Sequence, residues 1–67
     1  MIGNDDELKA TQERIAYFQD LLKQFRQTAR PEEFLSVARG YRLEIERMQE
    51  DVLDYLTRPV NLPARAA

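Results

Sequence analysis

Five carboxylates crowd the second half of the chain, at Glu44, Glu46, Glu50, Asp51 and Asp54, and Ser36 is its one serine. Paired carboxylates can serve as general acid and base, and in a helical bundle they can hold two metal ions when Glu-x-x-His pairs join them. Neither use fits these residues. The sequence has no His and no Cys, which removes the imidazole base, the activated thiol and the ordinary ligands of zinc. Ser36 has no base near it in the pattern, the five carboxylates scatter around a helix, and no glycine-rich phosphate loop is present. The expectation is a protein that is not an enzyme and has no catalytic residue, metal or cofactor.

A second group of side chains is basic. Between Leu22 and Arg42, Lys23, Arg26, Arg30, Arg39 and Arg42 stand against Glu32 and Glu33, a net of three positive. Beside Phe25, Phe34 and Tyr41, such a group can hold RNA phosphates and stack bases. That layout resembles the small Rop-type RNA-binding four-helix bundle. The three aromatics occupy positions expected to be buried, however, and the chain as a whole carries a net charge of −2. Nucleic acid is therefore the alternative partner, and anionic membrane is disfavoured on the same ground. Eight of the ten basic residues are Arg, the side chain suited to interface ion pairs.

The elements that position these groups follow from apolar spacing. Asn4 is a good N-cap with Glu7 at the capping-box position, so a helix is predicted from about residue 5 to 28. Its seam runs Leu8, Ile15, Phe18, Leu22, Phe25 and Ala29, with Thr11 in the remaining slot, and Glu13, Asp20 and Gln27 lie opposite. Pro31 ends that helix and suits the first turn of the next, predicted over about 31–57. The second seam reads Phe34, Ala38, Tyr41, Ile45, Met48, Val52 and Tyr55. A turn this short obliges the helices to lie antiparallel. The fold class is all-α: a coiled-coil-like two-helix hairpin over residues 1–58, followed by an extended or disordered tail at 59–67. Gly40 interrupts the pattern locally. It can cap a short helix, admit a close neighbour, or simply be tolerated at a cost of about 1 kcal/mol.

Some apolar residues fall outside the seam. Tyr17 and Leu21, with Ala10, form a displaced stripe on the first helix; Leu35, Leu53 and Leu56 lie to one side of the second seam and Leu43 on its far side. Two helices alone leave these wet, and a 67-residue chain with neither disulfide nor metal gains most from association. A homodimer forming a four-helix bundle is expected. Its charges support an end-for-end arrangement. Residues 1–14 and 46–58 are each two negative, so the open end is acidic where the turn is basic. The candidate interface is therefore Tyr17, Leu21, Leu35, Leu43, Leu53 and Leu56 with Arg26, Arg30, Arg39 and Arg42. Charges interrupt every apolar stretch before the roughly 20 residues of a membrane span, and with no leader pattern the cytoplasm is the expected location.

Three strings complete the reading: Gln12-Glu13-Arg14-Ile15-Ala16-Tyr17-Phe18, Gly40-Tyr41-Arg42-Leu43-Glu44-Ile45-Glu46-Arg47-Met48 and Asp54-Tyr55-Leu56. Together they resemble short bacterial helical proteins of the antitoxin-associated kind, including helical segments that precede a DNA-binding domain in some antitoxins. The resemblance implies neutralisation of a protein partner by occlusion, with helix faces and the tail around Val60 and Leu62 lying on its surface. This chain has no helix-turn-helix, so the likeness does not extend to DNA contact. The expected function is a protein-binding module that self-associates and sequesters or positions a partner. RNA binding and a purely structural scaffold are the alternatives.

Overall fold

Asn4 starts the first helix: its backbone is extended and its side-chain oxygen accepts the Glu7 amide proton at 2.8 Å. Glu7 reaches back as in a capping box, but takes the Gly3 amide, at 2.7 Å, where such a box usually closes on the N-cap residue itself. Asp5, Asp6 and Glu7 fill the first turn, where the helix dipole favours anions. The computed structural model describes residues 1–60. It consists of α1, Asp5–Thr28, and α2, Pro31–Leu56, packed against each other.

Ala29 and Arg30 separate the helices, both in extended backbone with ψ of 157° and 150°. Pro31 imposes that geometry on the residue before it and supplies a preset φ for the first turn of α2. With two residues between them, helices of about 36 and 39 Å at ~1.5 Å per residue must run back along each other. α2 passes through Gly40 unbroken. A Cβ built there meets nothing within 4 Å, so neither a helix break nor a close neighbour among the described residues accounts for this glycine. α2 ends at Leu56, and Thr57 closes it by donating from its hydroxyl to the Leu53 carbonyl at 2.8 Å.

The core is a single line of contact. Ile15, Ile45 and Met48 are buried, with Phe18, Leu22 and Val52 packed around them. Phe18 stacks on Tyr41, ring centres 5.5 Å apart. Leu8, Phe34, Ala38, Tyr41 and Tyr55 are half-buried, as are Thr11 and Ala29. No polar side chain is buried among the described residues. Phe25 departs from the expected seam, for it is 39% exposed. It lies one turn before the end of α1, and among the described residues no third element covers the edge it shares with Leu21 and Tyr41.

Ile2 is the most thoroughly buried side chain, 3% exposed, although it precedes both helices. The segment before α1 folds across the end of α2: the Met1 nitrogen lies 3.8 Å from the Asp51 carboxylate, and the Tyr55 hydroxyl donates to Asp5 at 2.5 Å. Ile2 is carried inward between these two anchors. Of the expected tail, Pro59 and Val60 are exposed, and residues 61–67, Leu62 among them, lie outside the described residues. No helix among the described residues is long and apolar enough to cross a membrane.

Two substitutions check this account by urea titration followed by circular dichroism. Ile2→Ala should lower stability by about 2 kcal/mol, the cost of emptying a buried aliphatic site. Gly40→Ala should raise it by about 0.5–1 kcal/mol, because the added methyl meets open space and helix propensity improves.

Candidate functional site

A hairpin of two helices is a layer with two faces, and a residue's place beside the seam decides which face it joins. On α1, Gln12, Gln19 and Arg26 directly follow the seam residues Thr11, Phe18 and Phe25 and line one edge. Arg14, Leu21 and Thr28 directly precede Ile15, Leu22 and Ala29 and line the other. On α2, Leu35, Arg42, Gln49 and Leu56 line one edge, and Val37, Glu44 and Asp51 the other.

Shallow grooves show how the edges meet. Gln12, Ile15, Gln49, Val52 and Leu53 line a depression of about 310 Å³. A second, of about 420 Å³, adjoins it and includes Gln19, Leu22, Arg42 and Glu46, with Gln49 common to both. The first face therefore joins the glutamine edge of α1 to the Leu35 and Leu56 edge of α2. Leu21, Gln24, Phe25, Thr28 and Tyr41 line a depression of about 290 Å³ on the opposite face.

The apolar flanks thus divide between faces. Leu35, Leu53 and Leu56 belong to the first and are 63%, 62% and 56% exposed. Tyr17 and Leu21 belong to the second; Tyr17 is exposed and touches Phe18 with ring centres 5.8 Å apart, while Leu21 is half-buried. Leu43 points away from both and is exposed. Arg26, Arg30, Arg39 and Arg42 are all exposed. Arg42 donates from Nε to Glu46 at 2.9 Å, whereas Arg26, Arg30 and Arg39 make no ion pair among the described residues. No group of three or more acidic side chains gathers into a metal-binding arrangement among the described residues.

At the open end Tyr55, Asp5, Gly3, Leu56, Arg58, Pro59 and Val60 surround a depression of about 410 Å³. The hydrogen bond to Asp5 is the main cause that holds the Tyr55 phenol above the usual tyrosine value of 10.0; desolvation and the Asp5 and Glu7 charges add to it, and Arg58 opposes. Arg58 sits 5.8 Å from the centre of the same ring.

Sequence reasoning missed two features. Ile2 was readable only as an apolar residue just ahead of an N-cap, the neighbourhood in which hydrophobic staples form. The division of the flanks was available from counting one place before or after each seam residue.

The phenol's raised value carries a pH signature. The protonated form is favoured in the folded chain, so the contact's contribution is complete below the ordinary tyrosine value and fades as pH rises through the higher folded value. The stability difference between the wild-type chain and Tyr55→Phe, measured by urea titration, should therefore be constant from neutral pH up to about 9 and shrink above 10.

No protein-family model matches the chain, and no curated protein or solved structure is significantly similar to it.

Proposed function

We propose that this chain is a non-enzymatic protein-binding module that self-associates through one face of its helical layer and sequesters or positions a protein partner with the other. The observation that carries this reading is the placement of large apolar side chains on both faces. Leu35, Leu53 and Leu56 are exposed on one, Tyr17 and Phe25 on the other. Each stands on a rigid helix, where side chains present a fixed surface to a partner. Tyrosine and other aromatics are enriched among the residues that dominate binding energy.

Self-association is an antiparallel homodimer forming a four-helix bundle. Each face of two helices some 36–39 Å long presents a footprint of about 750 Å², close to the roughly 800 Å² per partner of a standard interface. End-for-end packing sets the basic turn of one copy beside the acidic open end of the other, which favours association and the correct orientation. The partner is held on the Tyr17 face in the manner of an antitoxin, by covering a surface it needs; the three residue strings noted above are the basis for naming that kind of protein.

Exposed Phe25, flanked by Lys23, Arg26 and Arg30, which make no ion pair among the described residues, favours a second reading, in which RNA is held at the turn with Phe25 stacking a base.

Two variants separate these readings. Tyr17→Ser alters an exposed residue and should change stability by less than about 0.5 kcal/mol. Immobilised wild-type chain should retain a protein partner from its native cell extract that the Tyr17→Ser chain does not retain, with the mass of the free chain's assembly the same for both. Recovery of the chain alone would count against a partner. RNA retained in a gel shift at physiological salt, and lost with Phe25→Ala, would move the reading to the turn.

A further inference from the structure

We infer that the second copy docks on one stripe of α2, in a single register centred on Glu44; this rests on the self-association proposed above. The stripe is Leu35, Arg39, Arg42, Glu46, Gln49 and Leu53, all on the first face and all exposed. Its spacing of four, three, four, three and four residues reads identically in both directions. The side-chain types are complementary about the middle: apolar, cation and cation on one side, anion, amide and apolar on the other.

A two-fold axis through the position of Glu44 has a definite consequence for such a stripe. Laid antiparallel, Arg42 of each copy meets Glu46 of the other, Arg39 meets Gln49, and Leu35 meets Leu53. An isologous interface makes each contact twice. The register also overlaps the helices along almost their whole length, because Glu44 lies at the middle of Pro31–Leu56. In the free chain Arg42 and Glu46 already bond to each other at 2.9 Å while 79% and 53% of their side chains stay exposed. Both can therefore turn part of their hydrogen-bonding capacity to the second copy, so that four charges of alternating sign surround the axis.

α1 is compatible with the same axis. The Phe18–Tyr41 stack and the Asp5–Tyr55 hydrogen bond fix the alignment of the two helices and place Ala16 level with Glu44. Ala16 lies on the first face, where its small side chain lets the two α1 helices approach, with Gln12 and Gln19 of opposite copies within one residue of the same level on either side. The like-charged meeting is Lys9 with Lys23 of the second copy, at the rim on long solvated stems. The opposite face of α2 does not suit this arrangement. The same axis there sets Glu44 against Glu44 and Val37 against Asp51.

The test uses Arg42→Glu and Glu46→Arg, both at exposed positions, with helicity checked by circular dichroism and mass read by sedimentation equilibrium and native mass spectrometry. Alone, each variant would bring four like charges to the axis, and its dimer should dissociate about tenfold more readily or worse. Mixed in equal amounts, the two set an acidic pair on one copy against a basic pair on the other, so every contact between copies regains opposite signs, and a one-to-one heterodimer should form more tightly than either variant alone. If either variant alone dimerises as tightly as wild type, the register is wrong. The register is also wrong if the mixture stays as dissociated as its components while wild type is dimeric, and self-association itself survives that result. A monomeric wild-type chain would overturn both.

Discussion

Two helices can cover each other only along one line, and everything distinctive about this chain follows from that constraint. Ile15, Ile45 and Met48 are buried because they lie on the line, and the side chains one place to either side of it open to solvent. A third helix would close one face and a second hairpin would close it more evenly; neither is supplied by the described residues. The same geometry that thins the core leaves both faces of the layer accessible among the described residues.

The hairpin is held at its two ends by different means. At the turn the constraint is covalent: Pro31 requires extended backbone before it, and two residues leave α2 no course except back along α1. At the open end it is tertiary, through Ile2 folded inward and the Tyr55 hydroxyl on Asp5. Between the ends the Phe18–Tyr41 stack fixes the relative alignment. That alignment decides which residues of α1 and α2 share a face.

Much of this was legible in the sequence, and the exceptions have physical causes. The helices and their packing were legible because alternating three- and four-residue spacing admits few other folds, and because Asn4 and Pro31 act through local geometry alone. Phe25 shows the limit of that logic: the spacing assigns it to the seam, but burial depends on what lies across the seam, and near the turn too little does. Ile2 shows the converse. Its burial goes with the Met1–Asp51 ion pair, the Tyr55–Asp5 hydrogen bond and the chain direction ahead of α1, none of which apolar spacing reports. The candidate interface was legible as a set of residues, and its division into two faces follows when each residue's place beside the seam is combined with the antiparallel alignment. Its leucines on α2 and its Tyr17 and Leu21 on α1 look alike in a list of exposed apolar positions, and only the antiparallel alignment separates them.

Charge and shape join in one proposed assembly. The basic turn and acidic open end disfavour a parallel pairing of two copies and favour an end-for-end one, while the leucines of α2 supply the apolar contact that charge alone would not. The Tyr17 face is then left for a different protein. Sedimentation equilibrium of the wild-type chain at micromolar concentration, at low and at high salt, tests this most directly. A mass twice the 7.9 kDa of the chain, with dissociation rising as salt screens the opposed charges, is the expected result. A monomer mass at both salt concentrations would contradict it.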